Sequence, residues 1–359
     1  MLKEKDILEK SIQVLTDCLS VIPALKVETV ETLPGKAEPD FRVTIQGNGF
    51  NQIIYIEAKS LGTPKSTREA VNALSQYQRD KPAYGILIAP YISPESANIC
   101  KEAGIGYVDL SGNCRIAFQQ VFINRENFPN QYPFKTGLSS LYSPKSERIL
   151  RVLLTFPYRP WKTIELAEEA QVSPGMITHV RRKHEEEEWA KTTPKGFYLS
   201  QPDNLLMDWS MHYSLRQNTL FDFYTLKSIS DIETEIAETC SKINIPYALT
   251  GFSASNRLAP MVRGQRGMIY IGRDILLLAK RLGLKPVDSG ANITLIQPYD
   301  TGIYWKTQTV DSIQIVSSVQ VFLDLKRTPG RGEEAADFLY KKVIKTTWQQ
   351  QKMNMITSL

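Results

Sequence analysis

The sequence predicts an α/β protein of the α+β, multidomain kind: a mixed sheet flanked by helices, a small helical unit closed by a hairpin, and a second αβ domain. Its 359 residues are enough for two or three domains. Hydrophobic residues at 42% and charged residues at 23% are ordinary for a globular chain and exclude disorder and fibrous repeats. Helix-period and strand-period segments alternate over 1–135 and again over 213–345, with a compact, mainly helical block at 144–205 between them.

In the first block, Ile7, Leu8, Ile12, Leu15 and Leu19 recur at helical spacing. Strands are expected at Val27–Thr32, Asp40–Ile45 and Gln52–Lys59, with a Pro34-Gly35 turn and a Gly47-Asn48-Gly49 hairpin turn between them. A helix over Thr67–Gln78 precedes a strand over Tyr84–Ala89. Ser93-Pro94 then opens a helix through Cys100, because proline fits the first helical turn. Short strands at Gly106–Leu110 and Cys114–Phe118 close the block, and Asn124–Tyr142 reads as a linker. Helices at Ser146–Phe156, Thr163–Ala170 and Pro174–Trp189 follow, then a hairpin around Pro194-Lys195-Gly196: the order of a winged helix. The last block is expected to hold a helix near Asp222–Ile243 and strands at Tyr247–Thr250, Met268–Ile271, Asn292–Gln297 and Ser312–Leu325. A final helix starts near Glu333.

Several functions are disfavoured at once. No apolar run reaches the roughly 18 residues of a membrane span, and the charged start MLKEKDILEK is unlike a signal peptide, so a cytoplasmic location is expected. Cys18, Cys100, Cys114 and Cys240 form no CxxC pair and read as four reduced thiols. Three histidines make His-based catalysis or a His-rich metal site a poor reading.

Chemistry concentrates first at Asp40 and Glu57-Ala58-Lys59. Glu57 and Lys59, two apart in a strand, leave one face, and the hairpin returns Asp40 toward them. Two carboxylates and the Ala58 carbonyl are hard oxygen ligands suited to Mg²⁺ or Mn²⁺, and Lys59 would orient a water and offset negative charge. A plain surface salt bridge is the alternative for any Glu-x-Lys. Over about the first 120 residues this pattern resembles the PD-(D/E)xK nuclease superfamily. That resemblance implies a restriction-endonuclease-like sheet and Mg²⁺-dependent DNA cleavage by Asp40, Glu57 and Lys59. It further implies a metal-binding acid on the first helix, Glu9 with Glu4 behind it, and a helical Gln or Tyr, here Gln76 and Tyr77.

In the winged helix, Ile177 and Val180 should face the core and His184 should sit half-buried beside Trp189. Met176, Thr178, His179 and Arg182 then point outward toward double-stranded DNA, with Arg181 and Lys183 at phosphate range and Lys191 and Lys195 on the wing. Glu185–Glu188 are expected to form a solvated face.

Between Asn256 and Pro286, Arg257, Arg263, Arg266, Arg273, Lys280, Arg281 and Lys285 oppose Asp274 alone, a local charge of +6 against +5 for the whole chain. They are either a phosphate- or partner-binding surface or scattered solvated side chains. With the winged helix, the stretches Thr250-Gly251-Phe252-Ser253-Ala254-Ser255-Asn256-Arg257 and Gly330-Arg331-Gly332-Glu333-Glu334 resemble the AbiEi-type family, transcriptional regulators and antitoxins of type IV toxin–antitoxin systems. That resemblance, over roughly 145–345, implies autoregulatory DNA binding beside a cognate toxin. The last block allows a nucleotidyltransferase-like topology, but no Asp-x-Asp pair follows Gly251-Phe252-Ser253, which argues against nucleotidyl transfer.

The leading expectation is DNA hydrolysis with Mg²⁺, aimed by the winged helix. Its rivals are a non-enzymatic regulator or antitoxin and an adaptor in a phage-defence system. A toxin or defence-system protein and a second copy of the chain are the protein partners expected.

Overall fold

The computed structural model describes residues 4–33, 38–78, 83–132, 141–261, 264 and 266–357. They form two compact units. The first takes the described residues of 1–138 together with Lys183–Glu188, and the second takes those of 139–182 and 189–359. Apart from Lys183–Glu188, the winged helix and the last αβ block are thus parts of one unit.

The first unit runs α1 (Glu4–Leu19), β1 (Lys26–Thr32), β2 (Phe41–Gly47), β3 (Phe50–Ala58), α2 (Pro64–Gln78), β4 (Ala83–Ala89), α3 (Pro94–Glu102), β5 (Gly106–Asp109), β6 (Cys114–Phe118) and β7 (Val121–Arg125). Its seven strands pair in chain order, parallel at β3–β4 and β4–β5 and antiparallel elsewhere. Gly49, at φ 81°, makes the β2–β3 turn. The pleat sends alternate residues to two cores. Ile54, Ile56, Ile86 and Ile88 face α1 with Leu15 and Leu19. Tyr55, Leu87 and Ala89 face α2 and α3 with Val71, Leu74 and Ile99. Ser93 caps α3 by accepting from the Ser96 N–H, and Pro94 occupies its first turn, as the sequence implies.

β7 was not expected, and its last two residues, Asn124 and Arg125, fall in the stretch that reads as a linker. Its pattern of alternating burial is too short for periodicity to single out, and pairing with β6 supplies the missing signal. Cys18 and Cys114, 96 residues apart, are joined as a disulfide, which corrects the expectation of four reduced thiols; Cys100 and Cys240 are free and buried. Spacing along the chain could not reveal that α1 ends over β6. The expected Pro34-Gly35 turn lies outside the described residues.

In the second unit α4 (Pro144–Thr155), α5 (Thr163–Glu169) and α6 (Pro174–Glu186) precede the hairpin β8 (Ala190–Thr193) and β9 (Gly196–Leu199). Trp161 pairs with Phe197 through an isolated antiparallel bridge beside the two-stranded wing. Then come α7 (Pro202–His212), β10 (Thr219–Tyr224), α8 (Ile229–Lys242), β11 (Tyr247–Leu249), α9 (Gly251–Leu258), β12 (Gly267–Ile271) and α10 (Ile275–Arg281). The chain ends with β13 (Lys285–Pro286), β14 (Ile293–Gln297), β15 (Gln308–Val310), β16 (Ile313–Ile315), α11 (Ser318–Lys326), α12 (Gly332–Leu339) and α13 (Lys345–Thr357). The sheet order is β13-β10-β14-β12-β11-β16-β15.

Two sequence expectations are corrected here. Asp222 lies in a strand rather than at the start of a helix, and Ser312–Leu325 is a short strand followed by α11. α11 is buried at Val319–Leu325 and turns even its polar Gln320 and Asp324 inward, so it lacks the solvated face of an amphipathic helix and was read as a strand. The N-cap hydroxyl of Ser317, accepting from Gln320, marks the true boundary.

Helices α4, α7 and α11 share a buried polar network within this unit. Arg151 donates to Gln320 Oε1 at 2.9 and 3.1 Å and to Glu147 at 3.4 Å. Gln320 donates onward to Tyr213 and Asp324, and Asp324 also accepts from Tyr213, Tyr270 and Thr250. Burial pushes the Glu147 carboxyl up to about 7, against the pull of Arg151.

Candidate functional site

The strand pairing places Asp40 just before β2 and Glu57 at the end of β3, so both lie at the end of the sheet where β4 and β5 also finish. The Asp40 carboxylate accepts from the Ala58 N–H at 2.8 Å. Lys59 Nζ donates to Glu57 Oε1 at 2.6 Å, with both side chains largely shielded. Two contacts thus lie at this edge, Asp40 with the Ala58 backbone and Lys59 with Glu57, the second being the salt bridge that the sequence left open as the alternative.

Other candidates do not join these contacts. Glu9 is exposed on α1, the helix packed on the face opposite to Tyr55 and Glu57, and the Glu4 side chain lies outside those described. Among the described residues no three carboxylate, histidine or cysteine side chains are grouped to hold a metal ion. Gln76 is exposed near the C-terminal end of α2, where Gln78 donates to Ala83. Ala83 pairs with Ile53, four residues and about 13 Å of strand before Glu57. Tyr77 packs edge-on against Tyr55 at 5.1 Å. Helix position on the sheet, not spacing from Lys59, decides both placements.

Two carboxylates and a carbonyl nevertheless suit Mg²⁺, which keeps several waters and needs only one or two protein carboxylates beside a phosphate. An acid the sequence reading passed over, Asp109, ends β5 at the same edge. It accepts from the N–H groups of Ile92, Ser111 and Asn113 and from the Asn113 amide. Its lone pairs are spent holding the 109–113 turn, which makes it a structural anchor.

On α6, Ile177 and Val180 are buried, and Thr178 and Arg182 are exposed. His179, Arg181 and Lys183 are half-buried. Met176 is partly buried against the core rather than outward-facing, because the start of α6 packs onto its neighbours. His184 is fully buried, more than half-buried as expected, and burial lowers its imidazole to about 4. Lys191 and Lys195 are exposed on the wing. The acidic run is not simply solvated: within the first unit Glu186 accepts from Thr63 and Glu188 pairs with Arg68 at 2.7 Å.

The basic segment is not one surface. Arg257 is turned inward, 2.8 Å from buried Glu233 and bonded to the Ser253 carbonyl. Arg266 faces Asp222, Arg273 bonds the Asn244 carbonyl, and Arg263 lies outside the described residues. Charge counted along the chain ignores that α9 and β12 direct successive residues to different sides. Among the described residues no helix is long and apolar enough to cross a membrane.

No curated protein matches the chain. A solved structure of EndoMS in apo form is 18% identical, matching 31% of this chain and 47% of that one at a TM-score of 0.22. The EndoMS–dsDNA2 complex is 18% identical over 28% and 43%, at a TM-score of 0.20. The chain spans less than half the length of either, and such scores carry no fold assignment. The family model described as "Transcriptional regulator, AbiEi antitoxin, Type IV TA system" matches residues 198–345, starting inside β9 and leaving out most of the winged helix. With β9, the second mixed sheet and its helices, this chain is thus similar over 198–345 to the AbiEi family of transcriptional regulators and antitoxins.

Proposed function

We propose that this chain is a DNA-directed protein in which the winged helix holds a duplex and the first unit hydrolyses a phosphodiester with Mg²⁺ or Mn²⁺. What supports this reading is that Asp40, bonded to the Ala58 N–H, and the Lys59–Glu57 pair lie at the same end of the first sheet. Asp40, Glu57 and the Ala58 carbonyl would hold the cation. When bound, it supplies Lewis acidity and a more acidic water. Lys59, held by Glu57, offsets negative charge growing on the scissile phosphate and orients the water. Thr178 and Arg182 would meet the groove and backbone, and Lys191 and Lys195 the flanking phosphates.

A second reading is a non-cleaving regulator or antitoxin with a cognate toxin as partner. The match over 198–345 and the lack of a third grouped carboxylate among the described residues favour it.

Incubating the protein with supercoiled plasmid and single-stranded DNA, with Mg²⁺ or Mn²⁺, separates the two. Cleavage should vanish in Asp40→Ala and Glu57→Ala. Equal cleavage by Glu57→Ala removes this site from consideration. Absence of cleavage, with binding to its own promoter fragment that Arg182→Ala weakens, selects the regulator. Arg182→Ala should also lower the salt slope of duplex binding by about one.

A further inference from the structure

A cavity of about 930 Å³ opens in the second unit between the end of α7, β10, β12, β14 and the end of α11. Its wall combines two chemistries. Phe252, Met268 and Leu220 give an apolar surface, the first two nearly buried. Arg216, Arg266 and Arg327 bring three guanidinium groups, opposed by the Asp222 carboxylate.

Two of these cations are fixed in place. Arg327 donates through Nη2 to the Ser210 and Met211 carbonyls at 2.7 and 2.6 Å. Arg266 donates through Nε to the Ala291 carbonyl at 3.1 Å and stands 3.7 Å from Asp222. Asp222 is itself bonded by Thr294. A guanidinium has five donors, so each retains N–H groups for an incoming anion. Arg216 is exposed beside them in the wall of the same cavity.

We propose that this cavity binds a nucleoside di- or triphosphate. The volume is at the upper end of small-molecule pockets and exceeds what a lone phosphate fills. A flat, weakly polar ring suits Phe252 and Met268, and a polyphosphate suits several guanidiniums that can each bond two oxygens. The ligand is held without nucleotidyl transfer: β12 offers Met268 and Tyr270, and Asp274, past its end, is exposed beside Arg273. A ligand seated here touches the end of α7 and the residues that follow α11. The proposal is independent of the site proposed at Glu57.

The test is calorimetric titration of the full-length protein with ATP, GTP, AMP, inorganic phosphate, a short single-stranded oligonucleotide and an oligoglutamate peptide. Triphosphates should bind more tightly than AMP, and AMP more tightly than phosphate. Arg216→Ala should weaken the triphosphate about tenfold and Arg216→Glu further, with unchanged circular dichroism. Glu57→Gln should bind as the parent does, which keeps this outcome separate from that of DNA cleavage. Failure of every mononucleotide to bind, equal affinity in Arg216→Glu, or stronger binding of the oligonucleotide or peptide than of the triphosphates overturns the proposal.

Discussion

His184 shows how one side chain carries a pH dependence into the fold. Its ring is wholly buried, and burial holds its pKa down to about 4. The unfolded chain takes up a proton near pH 6.5, while the folded one does not until about pH 4. Stability is therefore complete above that window and falls as pH drops through it, by about 2 kcal/mol at pH 5. Melting curves of the parent and His184→Phe from pH 7.5 to 5 should converge in slope once the ring is gone; an identical pH dependence would show that the histidine is not the source. The sequence placed His184 on the core stripe of α6 because helical periodicity is local. It gave only half the burial, since the depth of a side chain depends on what packs over it.

Among elements, the hairpin of the wing was legible because Pro194-Lys195-Gly196 names its own turn. Gly196 has φ 138°, and a Cβ there would stand 2.5 Å from the Trp161 carbonyl oxygen. Gly196→Ala should cost about 1–3 kcal/mol, read as a lower melting temperature and weaker duplex binding through Lys191 and Lys195; an unchanged melting temperature would count against this account of the turn. By contrast α11 was hidden. Its residues are buried all round, and a buried helix and a buried strand have the same composition. The nearness of Asp40 to the end of β3 was legible for the opposite reason: a hairpin of known turn fixes the register, which brings Asp40 back to the Ala58 N–H. Gln76 and Glu9 sit on helices, whose docking no such rule dictates.

At the scale of the whole molecule, long-range closure was the least legible feature. Nothing near Cys18 or Cys114 announces their pairing across 96 residues. In the chain-entropy account a loop of that length is worth about 4.7 kcal/mol, so the first unit should melt earlier in dithiothreitol, and Cys18→Ser should match the reduced parent. A melting temperature indifferent to reductant would show that the link contributes nothing. The polar network has a different reach. Arg151 is rooted in the winged helix, yet its acceptor Gln320 arrives from far later in the chain, and the Trp348 indole caps the Leu154 carbonyl from later still. Cutting out 144–200 as a portable DNA reader would strand a guanidinium meant for dry surroundings and strip its lid. The winged helix and the last αβ block are closed by each other's side chains, and a change at Arg151 must be answered at Gln320.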